Sequence, residues 1–272
     1  MNPYRKILSL SALAAAITIS PTATAFSTAF DRSEGYIASA LDQSKQTSAA
    51  YFNEAPFAGG LYLPKGGNPE LGTLRRDPKA TGTTAYYKIG TGSALSIGTT
   101  YSVSLDFTFE GMPEGIPSVD AFMGSVGFST SSTSNKHAIY AGIQRSASGT
   151  NSAAGVYQFF ILGGGYAQSK GGVSYAAVGD DLLDDNDLTD NLRMILSLTK
   201  STSPGKFEAV AQLINLESAT TVATISTTLT ESAAYQSELF GYLRSGSINE
   251  VGNFDLFNVT AFSFNSRLNE SP

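Results

Sequence analysis

Candidate metal ligands are concentrated in one segment of the chain, where six of the residues from Asp180 to Asp190 are aspartates. Carboxylate oxygens are the ligands that Ca²⁺ prefers in proteins, so the segment predicts a structural calcium site. The candidate ligands are Asp184, Asp185, Asp187 and Asp190. An EF-hand loop starting at Asp185 does not fit, because Asp190 and Leu196 stand where that loop needs Gly and Glu. A solvated acidic loop, with an Asp that caps a short helical turn near residues 187–191, is the alternative.

Asp106 and Glu110 are the carboxylates whose spacing bears on catalysis. Glycosidases place two carboxyl groups about 5–5.5 Å apart for retention and about 6.5–9.5 Å apart for inversion. Residues i and i+4 of a strand lie roughly 13 Å apart, because the rise is about 3.3 Å per residue. That distance is too long for one glycosidic bond. Both side chains are therefore expected to be solvated carboxylates, and no catalytic residue is assigned.

Histidine and cysteine chemistry is nearly absent, because the chain has one histidine, His137, and no cysteine. Without cysteine, no disulfide, thiolate metal site or cysteine nucleophile can form. A single histidine likewise excludes a metal site that takes several histidines from one chain. His137 follows a loop-like stretch, and we expect it to be an exposed or hydrogen-bonded residue at a strand edge.

Aromatic rings offer a different kind of site, a stacking surface for sugars, and the chain has 13 Tyr, 16 Phe and no Trp. A β-sandwich that binds a glycan would combine exposed rings with polar groups for the sugar hydroxyls. The tyrosines in or near predicted strands and loops are Tyr86, Tyr87, Tyr140, Tyr157, Tyr166 and Tyr175. The sequence does not distinguish exposed rings from rings in the core or at its rim.

The segments that must position these residues show a period of two. From Tyr101 to Phe109, apolar and polar residues alternate without a break, which predicts a strand with one buried and one solvated face. The same pattern runs through the predicted hairpin from Leu192 to Leu213. The predicted strands are 84–89, 100–109, 121–130, 138–144, 156–162, 192–200, 206–214, 221–227, 239–244 and 256–264. Short strands separated by Gly, Ser, Asn and Pro are typical of an all-β sandwich or barrel.

The first 25 residues have the features of a secretory signal peptide. Arg5 and Lys6 precede an apolar stretch from Ile7 to Ile19, and Ala23-Thr24-Ala25 matches the small-x-small cleavage pattern. The apolar stretch is shorter than the ~20 residues that span a bilayer, so we expect cleavage and no membrane insertion afterwards. An N-terminal membrane anchor is the alternative. The expected destination is outside the cell, on its surface or in the periplasm.

The remaining residues, 26–272, are expected to form one domain, since β-sandwiches of up to ~250 residues occur as single units. They carry 15 basic and 23 acidic residues, a net charge of −8. An acidic chain without a basic cluster is not expected to bind nucleic acid or an anionic membrane. The sequence does not predict an oligomeric state.

The order of these features resembles the concanavalin A-like (laminin G-like) jelly-roll domains of exported bacterial proteins. Three stretches carry the resemblance: residues 30–43, which begin Phe-Asp-Arg-Ser-Glu-Gly-Tyr, the strand 101–109, and the hairpin 192–213 with its closing segment 253–260. The resemblance implies an all-β, two-sheet antiparallel β-sandwich in which the first and last strands lie side by side. Glu34 and Asp255 would then approach each other, and they are a second candidate cation pair.

Two departures from the family concern function. Many such domains carry an early Trp, and the glycan hydrolases among them carry Glu-x-Asp-x-x-Glu; this chain has neither. We therefore expect an exported, non-catalytic β-sandwich that binds a glycan or another extracellular ligand, with Ca²⁺ as a structural cofactor. The alternatives are a structural or surface-assembly protein without a small ligand, and a divergent glycan hydrolase or lyase.

Overall fold

A computed structural model describes residues 25–28, 74–76, 84–91, 97–110, 121–130, 139–146, 156–163, 174–178, 190–203, 205–230, 238–245 and 256–268. Within these ranges the chain forms thirteen strands and no helix. Accordingly, none of the residues described belongs to a helix long and apolar enough to cross a membrane. His137, Glu34, Asp255 and the acidic residues 180–189 lie outside the described residues.

The strands follow the chain in short, closely spaced segments. They are β1 (Ala25–Thr28), β2 (Leu74–Arg76), β3 (Thr84–Thr91), β4 (Thr99–Glu110), β5 (Ala121–Ser129), β6 (Ile139–Arg145), β7 (Tyr157–Leu162), β8 (Ser174–Val178), β9 (Leu192–Lys200), β10 (Lys206–Asn215), β11 (Thr220–Thr230), β12 (Glu238–Ser245) and β13 (Leu256–Leu268). Each strand predicted from the sequence is present, and its ends agree to within four residues.

The strands form two sheets, which confirms the predicted two-sheet antiparallel β-sandwich. The seven-stranded sheet has the order β1-β13-β4-β9-β10-β11, with β2 also paired to β13. The six-stranded sheet has the order β3-β12-β5-β6-β7-β8. Every strand pair in both sheets is antiparallel. Because β1 pairs with β13, the first and last described strands lie side by side, as the resemblance implied.

Strand β4 shows how alternation in the sequence becomes a two-faced strand. Its apolar residues Val103, Leu105, Phe107 and Phe109 are at most 1% exposed. Ser102, Ser104 and Asp106 alternate with them on the opposite, outer face and remain partly exposed. One face of the strand therefore contributes to the core and the other to the surface of the seven-stranded sheet.

The predicted hairpin joins β9 to β10 in a single antiparallel register, from Leu192 opposite Asn215 to Lys200 opposite Phe207. The connection closes with a backbone hydrogen bond of 3.0 Å, which Ser201 N donates to Lys206 O. Gly205 has a φ of 70° in this turn, a backbone conformation that residues other than glycine rarely adopt.

The main core lies between the two sheets and takes side chains from both. Its largest fully buried members are Phe107, Phe109, Phe128, Phe159, Phe207 and Phe262. Burying one such side chain stabilises the fold by about 1.5–3 kcal/mol relative to leaving it in water. A core of this size holds the sandwich together without disulfides, which the cysteine-free chain cannot form.

Candidate functional site

A second hydrophobic cluster lies outside the main core. It contains Tyr140 on β6, Phe160 on β7 and Phe240 on β12, with Phe122 and Leu162 packed against them. The sequence neighbours Ala141 and Phe159 belong to the main core. Since successive side chains of a strand point to opposite faces, the second cluster occupies the outer face of the six-stranded sheet. We call these five residues the outer aromatic cluster.

Three rings of the outer aromatic cluster contact one another edge to face. The ring centroids of Tyr140 and Phe160 are 5.9 Å apart. Phe122 lies 6.3 Å from each of them. Edge-to-face pairs at such distances are each worth about 0.5–1.5 kcal/mol beyond the area they bury. Tyr140, Phe160 and Phe240 are only 3–6% exposed, so Phe122 and Leu162 form the accessible side of the cluster.

Two glycines allow the close packing beneath the cluster, Gly142 against the ring of Phe160 and Gly127 against the backbone of β6. A Cβ atom on Gly142 would lie 2.8 Å from Cζ of Phe160 and 3.0 Å from the carbonyl oxygen of Gly124. A Cβ atom on Gly127 would lie 2.6 Å from Cβ of Tyr140. A larger residue at Gly142 would push the ring of Phe160 away, whereas one at Gly127 would collide with the backbone of β6 at Ile139 and Tyr140.

A pair of amide side chains borders the cluster. Gln144 stands opposite Phe122 in the register of β5 and β6, and its Nε2 donates a 3.0 Å hydrogen bond to Oε1 of Gln158 on β7. Gln158 is 4% exposed, whereas Gln144 is partly exposed. Gln158 therefore fixes the orientation of Gln144. The Oε1 atom of Gln144 has no hydrogen-bond partner among the described residues.

Arg244 of β12 completes the accessible edge. Its guanidinium carbon lies 4.9 Å from the centroid of the Phe122 ring, a cation–π contact. Arg244 is partly exposed, and within the described part of the chain it makes neither a salt bridge nor a side-chain hydrogen bond. The N–H donors of this guanidinium thus have no acceptor among the described residues.

Ser125 lies beneath this edge with an unsatisfied hydroxyl. Its Cα pairs with Arg244 on one side and with Gly142 on the other. The side chain is 0% exposed, and Oγ has no hydrogen-bond partner among the residues that the structure describes. Leaving a buried hydroxyl unpaired costs about 1–3 kcal/mol. The sheet thus retains an unfavourable polar atom next to the accessible arginine.

Asp106 and Glu110, the two carboxylates whose spacing bears on catalysis, belong to β4 in the seven-stranded sheet and not to the sheet of the outer aromatic cluster. Arg193 of β9 donates two hydrogen bonds to Asp106, from Nε to Oδ1 at 2.6 Å and from NH2 to Oδ2 at 2.7 Å. The expectation that Asp106 is a solvated carboxylate is therefore wrong: its side chain is 13% exposed and ion-paired. The hydrogen bond and the charge of Asp106 raise the pKa of Arg193, against a smaller lowering by burial. Glu110 ends β4, and its side chain is outside the described residues.

The polar side chains around Asp106 form hydrogen bonds with one another. Hydroxyl pairs join β4 to its neighbours at Thr100–Thr199, Ser102–Ser197 and Ser104–Ser263, with distances of 2.8, 2.7 and 2.7 Å. The polar groups around Asp106 therefore satisfy one another across β4 and its two neighbouring strands.

Of the four predicted calcium ligands, the structure describes Asp190 alone. Its Oδ2 accepts a 2.6 Å hydrogen bond from Nδ2 of Asn215, at the end of β10. Asn215 in turn accepts hydrogen bonds from the backbone of Glu217 and Ser218 in the turn before β11. Among the residues described, no three His, Cys, Asp or Glu side chains come together as a metal site. Asp184, Asp185 and Asp187 lie outside that part of the chain, so the calcium site stays a prediction.

Two of the six candidate tyrosines have described side chains. Tyr140 belongs to the outer aromatic cluster. Tyr157 belongs to the main core, where the guanidinium carbon of Arg145 lies 5.2 Å from its ring centroid. The side chains of the remaining four tyrosines, Tyr86, Tyr87, Tyr166 and Tyr175, are outside the described residues.

Sequence reasoning did not select Phe122, Gln144 or Arg244. One local signal was available in β6, where Tyr140 and Gln144 alternate with the apolar Ala141 and Ile143. This alternation places an aromatic and an amide on one outer face. It does not reveal that Phe122 and Arg244, which are distant in sequence, join them there.

No protein-family model matches the chain. No curated protein matches it either. Among solved structures, it is similar to lectin I-B4 from Griffonia simplicifolia in a metal-free form, with 9% identity, a TM-score of 0.43, and coverage of 72% of this chain and 89% of the lectin. It is similar to winged bean acidic lectin complexed with methyl-α-D-galactose, with 9% identity, a TM-score of 0.44, and coverage of 73% and 88%. It is also similar to an endo-1,3-β-glucanase from Streptomyces sioyaensis, with 11% identity, a TM-score of 0.43, and coverage of 72% and 76%.

These lectins and this glucanase have concanavalin A-like jelly-roll folds, the fold that the sequence resembles. The similarity concerns fold alone. Identities of 9–11% and TM-scores of 0.43–0.44 carry no inference about the ligand or activity of this chain.

Proposed function

We propose that the protein is an exported, non-catalytic β-sandwich that binds a glycan on the outer face of its six-stranded sheet. The observation that carries the proposal is the accessible edge formed by Phe122, Gln144 and Arg244. There an aromatic ring lies beside an amide oxygen and a guanidinium that have no hydrogen-bond partner among the described residues. Export rests on the signal-peptide features of residues 1–25.

The chemistry of this edge suits a sugar ring. Binding sites for small molecules combine apolar and aromatic walls with a few well-oriented polar groups. The part of the Phe122 ring that Arg244 and the neighbouring rings leave uncovered offers apolar surface to the C–H groups of a sugar, and Gln144 Oε1 accepts a hydrogen bond from a hydroxyl. Because Gln158 and the buried rings hold these side chains in place, little conformational entropy is lost when a ligand binds.

Binding without hydrolysis is the favoured form of the proposal. Of the two carboxylates considered for catalysis, Asp106 lies on the other sheet and is held by both hydrogen bonds of Arg193. A carboxylate engaged in this way is not free to protonate a leaving group or to attack an anomeric carbon.

Glycan-array screening of the mature chain, followed by calorimetric titration of the best ligand, tests the proposal. Replacing Phe122 by Ala removes the accessible ring, and we expect at least about a 5-fold loss of affinity, as for an interface residue whose truncation costs more than about 1 kcal/mol. The control is Val210→Ala, which trims a 40% exposed residue on the outer face of the opposite sheet and should leave the affinity unchanged.

Circular dichroism of both variants checks that the fold is retained, and Gln144→Ala provides a second variant if Phe122→Ala does not fold. Repeating the titration with Ca²⁺ and with a chelator tests the proposed structural cation in the same experiment. Affinity that survives both site substitutions would refute this site. An array on which no glycan binds would instead favour a structural or surface-assembly role.

A further inference from the structure

Arg244 is the feature of the accessible edge that a neutral sugar does not explain. The chain without residues 1–25 has 23 acidic against 15 basic residues, so carboxylate partners for an arginine are in excess. Arg193 on the opposite sheet has such a partner and binds it with two N–H groups. Arg244 has no ion pair or side-chain hydrogen bond within the described part of the chain, and it contacts the ring of Phe122.

We propose that the glycan bound at this edge is anionic, and that Arg244 recognises a carboxylate on its sugar ring, as in a uronic acid. The inference rests on the proposed function, because it concerns the same binding edge. Guanidinium groups bind carboxylates through two parallel N–H···O bonds, a geometry that a lysine cannot reproduce. The contact with Phe122 involves the π face of the ring and uses none of the N–H donors of Arg244.

The surroundings of Arg244 fit this role. Ser125, its partner in the register of β5 and β12, has a buried hydroxyl that makes no hydrogen bond within the described part of the chain. Gln144 lies opposite Phe122 and presents an acceptor for a neighbouring sugar hydroxyl. One pyranose ring with an acidic substituent carries all three matching groups: a carboxylate for Arg244, a hydroxyl for Gln144 and an apolar face for the Phe122 ring.

The net charge of the chain sets how such a ligand is recognised. A domain of net charge −8 repels a polyanion at long range, so the attraction must come from the local contact with Arg244. Ion pairs at a partly exposed site weaken as salt rises, because the Debye length shortens. Affinity for an acidic oligosaccharide should therefore fall between 0.05 and 0.5 M NaCl, whereas affinity for its neutral form should not.

The test compares acidic oligosaccharides with neutral forms of the same backbone. Oligogalacturonates and oligomannuronates are titrated into the mature protein alongside their carboxyl-reduced counterparts. We expect the acidic form of the preferred backbone to bind about 10- to 100-fold more tightly, the range for hydrogen bonds to a charged group. Arg244→Gln should abolish this preference, and Arg244→Lys should restore only part of it.

Lys206→Gln is the matched control, since it removes one exposed positive charge from β10 of the other sheet and should leave the preference intact. Equal affinity for acidic and reduced forms, unchanged in both Arg244 variants, would overturn the inference while leaving the proposed function in place. Binding of neither form of any backbone would overturn the proposed function and the inference with it.

Discussion

Gly142 and Phe160 stand opposite each other on β6 and β7, and their fit shows how single residues shape the candidate site. The absent side chain of Gly142 leaves the space that Phe160 occupies, and Phe160 supports Phe122 at the accessible edge. Alternation along β6 predicts the outward position of Tyr140. It does not predict the contacts of Phe122 with Tyr140 and Arg244, because those contacts join residues far apart in the chain.

Gly142→Ala tests this fit. The added Cβ would lie 2.8 Å from a ring that is itself 3% exposed, and 3.0 Å from a backbone oxygen, so the neighbours have little room to move. We expect a loss of about 1–3 kcal/mol in the free energy of unfolding, as for other overpacked sites. Near-UV circular dichroism should change as the aromatic rings shift, and the affinity for the glycan should fall.

Gly205→Ala is the contrasting variant. Apart from its chain neighbours, no atom of the described residues lies within 4 Å of a Cβ added at Gly205, but the φ of 70° there is strained for any residue other than glycine, at a cost of about 1–2 kcal/mol. Its stability loss should leave the near-UV spectrum and glycan affinity unchanged. A Gly142→Ala variant as stable as the wild type, with an unaltered spectrum, would contradict the packing described for the cluster.

At the scale of elements, the alternating pattern predicts strands well and their partners poorly. The strand from Leu192 to Lys200 was predicted with the same ends that it has in the structure. Strands β1, β2 and β8 were not predicted, because their segments of 4, 3 and 5 residues are too short to establish alternation. The ion pair between Asp106 and Arg193 was missed since it depends on which strand lies next to β4.

A double-mutant cycle on Asp106 and Arg193 measures what the pairing of β4 with β9 contributes through this contact. Combining Asp106→Asn with Arg193→Gln should reveal a coupling of about 0.5–1 kcal/mol in urea unfolding, because Arg193 is 42% exposed and solvent weakens the pair. The raised pKa of Arg193 means that its share of this stabilisation is present at neutral pH and is lost only as a strongly alkaline pH deprotonates the guanidinium.

Added salt should reduce the coupling, as it does for partly exposed charges. The hydroxyl pair Ser102–Ser197 provides a neutral reference on the same two strands, and the coupling of its alanine variants should not depend on salt. A coupling near zero for Asp106 and Arg193 at low salt would show that the bidentate geometry does not stabilise the sheet.

At the scale of the whole molecule, the two outer surfaces of the sandwich differ in chemistry. The seven-stranded sheet presents hydroxyl pairs and an ion pair that satisfy their own hydrogen bonds. The six-stranded sheet carries a mostly buried aromatic cluster, and the guanidinium at its edge has no hydrogen-bond acceptor among the described residues. The sequence predicts the sandwich, because a period of two fixes which side chains of one strand share a face. It does not predict the site, which needs the order β12-β5-β6-β7 to bring Arg244, Phe122, Gln144 and Phe160 together.

Side-chain NMR during titration with the glycan that binds best tests the central claim most directly, namely that the outer face of the six-stranded sheet is the binding site. The side-chain amide signals of Gln144 and the Nε–H signal of Arg244 should shift and saturate with the ligand. The Nε–H signal of Arg193 on the other sheet should stay in place. Saturable shifts of Arg193 and its neighbours, with Gln144 and Arg244 unmoved, would contradict the account.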